Sequence, residues 1–335
     1  MSRELIKILT IDGGGIRGLI PAIFLAEIEE RCGRPAHQLF DVITGTSTGA
    51  LVTAMVTLPE PHTYSGEALV DYYLSTRPNT FFTRSLAYKL RSGNGMLRPK
   101  YPASSHITAL QDALGTDAGL KDAQAEIVIP IYDLRSTAPR TFMFTRANAQ
   151  RDPNMNFPIW EVVRAASTAS GYFPGWTLKN AQGVDTHHPV DGGIFMNNPV
   201  LAGFAHAVDM AEERSKRRGA VTVNGHEFLL VSLGTGFFNE PIHDRHEKHW
   251  GFAGWAPHLM DTMFEGQSEE ADRQARAILS TAGPFQHYLR LQTQLAGDYK
   301  LDDIAPEIRA SLKASAEATI RERGDDIDTI CQELS

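Results

Sequence analysis

Cysteine is scarce in this chain of 335 residues: only Cys32 and Cys331 are present, near opposite ends. Two such distant residues define neither a disulfide framework nor a Cys-x-x-Cys site, and this pattern favours a reducing, cytoplasmic compartment. Long apolar runs are missing as well, because no stretch approaches the ~18 apolar residues of a membrane span. Any contact with a membrane is therefore expected to be peripheral.

A signal peptide and an excess of positive charge are also absent. The first residues, MSRELIKILTIDGGG, enter a strand-like run almost at once and leave no room for a secretory leader. Lys and Arg number 32 against 40 Asp and Glu, which gives a formal net charge of -8. Because nucleic-acid-binding proteins usually carry a basic balance, no nucleic acid is expected as a partner.

Strand-like and helix-like segments alternate at the start of the chain. Residues 5–11 are apolar enough for a buried strand, and residues 18–31 have the character of a helix that Gly33 and Pro35 end. A second strand, FDVITG, leads directly into a second helix that stops at Pro59. This alternation is typical of a parallel sheet covered by helices.

The remainder of the chain extends this α/β pattern. Further strands are predicted at 126–132, 141–145 and 227–233, and residues 255–323 have a largely helical spacing. We find no internal repeat and no convincing linker. The prediction is one domain over residues 1–335, with a core of about 5–240 and a helical C-terminal part of about 255–335.

A serine lies between the second strand and the second helix, in the sequence Gly45-Thr46-Ser47-Thr48-Gly49. It matches G-x-S-x-G, the nucleophile elbow, in the strand–turn–helix context that the pattern requires. Gly45 and Gly49 would relieve crowding in a sharp turn, and the hydroxyl would lie at a helix N-terminus, which favours developing negative charge. A simple helix cap is the alternative interpretation.

A nucleophilic serine needs a base, and the chain offers two kinds. Asp191 follows an apolar residue and precedes Gly192 and Gly193, as in a strand that ends in a tight turn presenting one carboxylate. An aspartate that serves only its own turn is the alternative. Histidines also follow or precede it in sequence, so a Ser–His–Asp esterase stays open, with candidates His187, His188, His206 and His226.

A glycine-rich loop, IDGGGIRG, joins the first strand to the first helix. Gly13, Gly15 and Gly18 satisfy G-x-G-x-x-G, which on its own suggests a dinucleotide site. Such a site needs an acid at the end of the second strand, whereas Asp41 precedes that strand and Asp12 would oppose a pyrophosphate. Glycine amides suit the oxyanion of an ester-hydrolysis intermediate better. A nucleotide-binding module is kept as the alternative.

Residues 77–100 form a basic, amphipathic segment. No acidic residue lies between Asp71 and Asp112, and apolar residues separate six basic ones: Arg77, Arg84, Lys89, Arg91, Arg98 and Lys100. Segments that lie on anionic lipid have this composition. A solvated loop with aromatic residues facing the core is the other interpretation.

His243, His246 and His249 form H-x-x-H-x-x-H. On a helix, steps of three drift around the axis, so these imidazoles would not converge on one ion. Neither a metal nor an organic cofactor is expected.

The motifs DGGGIRG, GTSTG and DGG, in this order, resemble the patatin family of lipid acyl hydrolases, which includes the calcium-independent phospholipases A2. WEVVRAASTASGYFP at 160–174, NNP at 197–199, VSLGTG at 231–236 and YLRLQ at 288–292 extend the resemblance over nearly the whole chain. It implies a three-layer α/β fold with a central, mostly parallel sheet between helices.

The resemblance also implies the residues and the substrate of the site. Ser47 and Asp191 would form a catalytic dyad without histidine, which leaves His187 and His188 as loop residues. The implied oxyanion hole comprises Gly13, Gly14, Gly15 and Gly18, with Arg17 in its usual place. Membrane phospholipids or lysophospholipids are the implied substrates, and a homo-oligomer is allowed. Gly171 departs from the family, which commonly has proline there, and we expect a change in loop stiffness only.

Overall fold

The protein is described from a computed structural model over residues 4–137, 139–217, 226–238, 251–280 and 288–335. The strands in these ranges are β1 Glu4–Ile11, β2 Val42–Gly45, β3 Glu126–Asp133, β4 Thr141–Thr145, β5 Leu178–Lys179, β6 Asp185–His187, β7 Pro189–Asp191, β8 His226–Leu233 and β9 Tyr288–Leu291. The helices are α1 Leu19–Cys32, α2 Ala36–Leu39, α3 Thr48–Thr57, α4 Gly66–Leu74, α5 Leu86–Arg91, α6 Ala103–Leu114, α7 Arg146–Arg151, α8 Ile159–Ala166, α9 Val200–Arg217, α10 Phe252–Ser280, α11 Pro306–Glu322 and α12 Gly324–Leu334.

A mixed, mostly parallel sheet forms the centre of the molecule. Its strand order is β4-β3-β2-β1-β8-β9, and β7 pairs with β3. The pairs from β3 through β2 and β1 to β8 and β9 are parallel, whereas β4 and β7 run antiparallel to β3. The predicted three-layer α/β fold is confirmed.

Helices cover both faces of this sheet. Alternate side chains of β1 enter different clusters, with Leu9 and Ile11 packed towards α1 and α3, and Ile6 and Ile8 packed towards α9 and α10. A strand buried on both faces is expected where crossover helices flank a parallel sheet. α3 is buried along its whole length, which fits a helix that is apolar all round.

The strand register brings the two glycine motifs together. Ile11 at the end of β1 pairs with Gly45 at the end of β2, and with Leu233 at the end of β8. The loops that follow these strands therefore leave the same edge of the sheet side by side. In open α/β sheets, ligands bind at this carboxyl edge.

The C-terminal part differs from the prediction in one strand. The largely helical interpretation of 255–323 is wrong at β9, which joins the sheet beside β8. A four-residue segment such as YLRL does not reveal its conformation by periodicity, because a buried strand and a helix segment look alike at that length. Among the described residues, none of the helices is long and apolar enough to cross a bilayer.

The two cysteines lie close together in the structure, although they are far apart in the sequence. Cys32 at the end of α1 and Cys331 in α12 lie with their Sγ atoms 2.7 Å apart, as free thiols. Their closeness was not expected from their separation in the sequence, and it arises because α12 packs against α1. Sequence separation alone does not bound spatial separation.

Candidate active site

Ser47 occupies a strained turn between β2 and α3. Its φ of 55° and ψ of -117° are rare for a residue with a side chain. The flanking glycines are required by space: a Cβ on Gly45 would meet the Gly49 carbonyl oxygen at 2.1 Å, and one on Gly49 would meet the Ile11 carbonyl oxygen at 2.2 Å. Ser47 does not cap α3 with its side chain, so the helix-cap interpretation is wrong.

Asp191 ends β7, which pairs with the same edge of β3 as β2, beyond the end of β2. Ile131 of β3 pairs with Asp191, and the Asp191 N–H donates to the Thr168 carbonyl at 3.1 Å. The turn that follows is tight, because a Cβ on Gly192 would meet the Pro130 carbonyl oxygen at 2.5 Å. Through this turn the Gly193 N–H donates to Asp191 Oδ1 at 2.8 Å.

The Ser47 hydroxyl donates a hydrogen bond to the Asp191 carboxylate. The Asp191 side chain is only 2% exposed, and this burial raises its pKa to about 6, although hydrogen bonds from Ser47 and the Gly193 N–H oppose the rise. A carboxylate with such a pKa is a far better proton acceptor than a solvated aspartate, yet it is still ionised at neutral pH. The pair therefore has the contact and the basicity that a nucleophilic serine needs.

The glycine loop after β1 is held by contacts from distant parts of the chain. The Gly13 N–H donates to the Asn197 carbonyl at 3.0 Å, and the Thr235 hydroxyl donates to the Gly13 carbonyl at 2.7 Å. The Ile16 N–H donates to the Leu301 carbonyl at 2.8 Å. These contacts fix the loop before any substrate binds.

Two amides of the loop are available for an oxyanion. Among the described residues, no acceptor is found for the N–H of Gly14 or of Gly15, and both glycines line the cavity that contains Ser47. A Cβ on Gly14 would meet Thr235 Oγ1 at 2.5 Å, and Gly15 has a φ of 58° with the Leu301 carbonyl oxygen 2.2 Å from its Cβ position. Only glycine fits at either place.

The structure narrows the oxyanion hole that the resemblance implies. The Gly13 N–H already donates to the Asn197 carbonyl, so it is not available to donate to an oxyanion. Gly18 and Arg17 do not line the cavity. Gly18 is instead required for packing, since a Cβ there would meet the Tyr73 hydroxyl at 2.4 Å. Of the predicted set, Gly14 and Gly15 remain.

A buried ion pair anchors the start of the loop. Arg290 of β9 donates from one guanidinium nitrogen to Asp12 Oδ1 at 2.8 Å and from another to Asp12 Oδ2. Ser232 and Ser268 complete the cluster, in which both charged side chains are almost fully buried. Breaking a buried pair of this kind by removing one partner is strongly destabilising.

The histidines named as possible bases lie elsewhere. His187 Nδ1 contacts Asp133 Oδ2 at 2.8 Å and its ring packs against Phe142 and Phe144, whereas His188 contacts Thr177 at 3.4 Å. His206 contacts Glu126 at 3.1 Å. None of these three lines the cavity. They do not form a triad with Ser47, and the side chain of His226 lies outside the described residues, as do His243, His246 and His249.

The cavity over Ser47 has a volume of about 780 Å³ and a mainly apolar wall. Ser47, Asp191, Gly14 and Gly15 meet in its floor, and its walls are formed by residues that include Leu51, Tyr73, Phe81, Phe82, Leu110 and Phe173. A large apolar cavity with a few convergent polar groups is typical of a ligand site. This one has room for a flexible apolar chain beside the reacting groups.

Two polar residues of this cavity were not found from the sequence. His106 stacks on Phe173 with ring centroids 4.1 Å apart, contacts Ser167 Oγ at 3.0 Å, and has its pKa lowered to about 3 by burial. Asn197 has a buried Oδ1 without a hydrogen-bond partner among the described residues. A lone histidine in a helix carries no local pattern that would single it out. Asn197 lies in the NNP motif that supports the resemblance, but the motif gave it no role in the site.

Comparison with known proteins identifies the family of this chain. A family model described as Patatin-like phospholipase matches residues 9–204. Patatin-like protein 2 of Arabidopsis thaliana is 30% identical over 330 residues, which cover 90% of this chain and 79% of that protein. Probable inactive patatin-3-Kuras 1 of Solanum tuberosum is 27% identical over 305 residues, which cover 86% of this chain and 79% of that protein.

Among solved structures, VipD from Legionella pneumophila aligns with 96% of this chain and 67% of its own, at 10% identity and a TM-score of 0.40. The family assignment stands on the sequence matches: a family model that spans more than half of the chain, and a relative aligned over most of both proteins. The chain belongs to the patatin-like phospholipase family.

Proposed function

We propose that this protein hydrolyses the acyl esters of phospholipids or lysophospholipids with Ser47 as nucleophile and Asp191 as base. The observation that carries the proposal is that these two side chains line the same apolar cavity, near enough for the Ser47 hydroxyl to lower the pKa of the Asp191 carboxyl by hydrogen bonding. Membership of the family supports lipid acyl hydrolysis in general. One relative carries the word inactive in its name, so the geometry of this chain's own residues bears most of the weight.

The proposed reaction proceeds in two halves. Ser47 Oγ attacks the ester carbonyl carbon while Asp191 takes the hydroxyl proton, and the resulting oxyanion accepts hydrogen bonds from the Gly14 and Gly15 amides. Collapse of this intermediate breaks the ester bond, and Asp191 returns the proton to the departing alcohol. Water then attacks the acyl-enzyme, Asp191 again takes and returns the proton, and the fatty acid leaves with Ser47 restored.

The apolar wall of the cavity suits the acyl chain of a lipid and so supports this substrate class. Aromatic and aliphatic side chains surround the nucleophile, so burial of methylene groups would stabilise a bound lipid by about 0.8 kcal/mol for each CH₂. The same burial keeps water away from Asp191 and raises the pKa of its carboxyl. The same apolar environment would therefore favour both the binding of the substrate and the transfer of the proton to Asp191.

The nucleotide-binding alternative fits the loop less well. A pyrophosphate needs several converging N–H groups, whereas the amides of Gly13 and Ile16 already donate to carbonyl oxygens. Two neighbouring amides suffice for one oxyanion. The Leu301 carbonyl oxygen, which lies against the loop, would repel a nucleotide phosphate.

Labelling with a fluorophosphonate probe tests the proposal. The native chain should be labelled, the Ser47→Ala variant should not, and hydrolysis of a short-chain nitrophenyl ester and of a phospholipid should be lost in parallel. Ser170→Ala is a matched control, because Ser170 lies in the same cavity outside the elbow. Absence of labelling in the native chain, or its persistence in Ser47→Ala, would overturn the proposal, and nucleotide binding by such a chain would favour the alternative.

A further inference from the structure

Exposed apolar side chains are concentrated in one short segment of the surface. Met96, Leu97, Leu90 and Leu86 are 92%, 79%, 74% and 73% exposed, the highest values among the large apolar residues that the structure describes. All four lie in the acid-free region found from the sequence. Isolated exposed apolar residues are ordinary, whereas a group of them marks an interaction surface.

The fold holds these side chains outward. Arg84 donates to Asn94 Oδ1 at 2.7 Å and to the Lys100 carbonyl at 3.1 Å, and the Tyr88 hydroxyl donates to the carbonyls of Pro99 and Tyr101. Below the segment, Lys100 pairs with Asp302. The backbone between α5 and residue 100 is thus fixed from the inside.

The charged side chains of the segment leave a positive surface. Lys89, Arg91 and Arg98 are exposed, and none of them forms an ion pair with a carboxylate in the described parts of the chain. Leu86 and Leu90 are four residues apart and share one side of α5, with Lys89 beside them. Apolar and basic groups therefore occupy the same patch, although the chain as a whole has a net charge of -8.

This patch borders the opening of the cavity. Met96 lines the cavity that contains Ser47 and is also the most exposed large apolar residue. Across the cavity, α10 contributes Met260 and Phe264 to the wall. Three exposed apolar residues recur on α10 at intervals of four, Trp255, Leu259 and Met263. Exposed apolar residues thus adjoin residues that line the cavity, both at residues 96–97 and along α10.

We propose that the exposed side chains of α5, of residues 96–98 and of α10 form a docking surface for an anionic membrane, seated around the mouth of the Ser47 cavity. Leucine, methionine and tryptophan enter the interfacial region of the bilayer, and Lys89, Arg91 and Arg98 face the lipid phosphates. A lipid then passes from the bilayer into the cavity without crossing water. The role of this surface in delivering lipid rests on the proposed function, but binding of the protein to a membrane does not require hydrolysis.

Vesicle binding tests the surface apart from catalysis. The full chain carrying Ser47→Ala is sedimented with vesicles of phosphatidylcholine alone and of phosphatidylcholine with phosphatidylglycerol. Binding should be stronger to the anionic vesicles and should weaken as salt is raised. Replacing Lys89, Arg91 and Arg98 together by Gln should weaken anionic-vesicle binding on the order of a hundredfold, at about fivefold for each charge.

The apolar part has its own variant and matched controls. Replacing Leu86, Leu90 and Leu97 together by Ser should weaken binding to both kinds of vesicle by at least tenfold. Leu134→Ser with Val184→Ser removes exposed apolar residues elsewhere, and Lys121→Gln with Arg321→Gln removes exposed charges elsewhere; neither pair should change binding. In a chain with Ser47 intact, the leucine variant should keep its activity on a soluble nitrophenyl ester and lose it on vesicles.

Three outcomes would overturn the proposal. One is equal binding to both vesicle types that none of the variants changes, and another is equal loss in the control pairs. The third is a native dimer that the leucine variant converts to a monomer without any effect on vesicle binding, which would make the patch an interface between two copies. Absence of ester hydrolysis by the native chain, with vesicle binding present, would refute the proposed function and leave the docking surface standing.

Discussion

Ser47 and Asp191 meet in an apolar cavity, because β2 and β7 pair in succession with the same edge of the strand β3. The Ser47 hydroxyl donates to a carboxylate that is 2% exposed and is also held by the Gly193 N–H. A base already in contact with the nucleophile needs no group between them to carry the proton. Most properties expected of this site follow from that arrangement.

Asp191→Asn should reduce kcat by 10²–10⁴-fold, the usual contribution of a positioned general base. The amide is close in shape to the carboxylate, so the cavity should be preserved and substrate binding should change little. Steady-state kinetics on a soluble ester measure the effect. His187→Gln and His188→Gln serve as controls with native rates, and a loss in either of them comparable to that of Asp191→Asn would indicate a triad.

The rate should depend on pH through the carboxyl of Asp191. Because the base must be ionised and its pKa is about 6, kcat/KM should be half-maximal near pH 6 and should fall tenfold for each unit below it. A profile on a soluble ester at constant ionic strength tests this. The acid limb should vanish from the residual activity of Asp191→Asn, and its persistence there would assign it to another group.

The free energy of unfolding should also depend on the Asp191 carboxyl, but here the protonated form is the favourable one. Burial raises the pKa of Asp191 from 3.8 to about 6, so the folded state binds this proton more tightly than the unfolded state. The stabilisation by this proton is complete below pH 4 and is lost as pH rises through about 6, a loss of roughly 3 kcal/mol. Asp191→Asn lacks this loss. Urea unfolding at pH 4 and pH 7 should show the variant gaining on the native chain by that amount, whereas an equal difference at both values would contradict the assignment.

Gly14→Ala should remove one donor from the oxyanion hole. The new Cβ would lie 2.5 Å from Thr235 Oγ1, so the loop must move and misdirect the Gly14 amide. Loss of one such donor costs about 10²–10³-fold in kcat. Gly175→Ala is the control, since its Cβ position is open. Thermal unfolding should first show that both variants are folded. Equal kcat values for the two folded variants would then exclude the Gly14 amide from the oxyanion hole.

Arg290→Met should destabilise the fold by about 3–5 kcal/mol, because it leaves the Asp12 carboxylate buried without a counter-ion. The double variant Asp12→Asn with Arg290→Met removes both charges and should recover most of that loss. Denaturant unfolding of the four chains gives the coupling between the two residues. Additive effects in this cycle would show that the pair does not act as a unit.

Local patterns predicted the elbow and the fold class. The strand, the turn and the helix around Ser47 are encoded within some fifteen residues, where glycine spacing and apolar periodicity both act over short distances. The parallel sheet followed from the alternation of strands and helices. The pairing of Asp191 with Ser47 came from a family resemblance, because the residues alone left histidine open as the base.

Contacts between distant segments could not be predicted in this way. Arg290 lies in a four-residue strand that was taken as part of a helical region, and its partner Asp12 was considered only as an obstacle to phosphate. Which glycine amides are available depends on the carbonyls of Asn197 and Leu301, and no sequence motif shows where a distant carbonyl will lie. Local sequence determines where the chain turns, whereas tertiary contacts determine which backbone amides of a turn are free to donate.

The ion pair between Asp12 and Arg290 joins residues 278 positions apart, and this separation has a consequence for the timing of synthesis. The glycine loop leaves the ribosome early, with a carboxylate beneath it that cannot be buried stably until its counter-ion has been translated. An unfinished chain therefore lacks the rigid loop on which the oxyanion site depends. On the proposed function, hydrolytic activity therefore requires that β9 has been made.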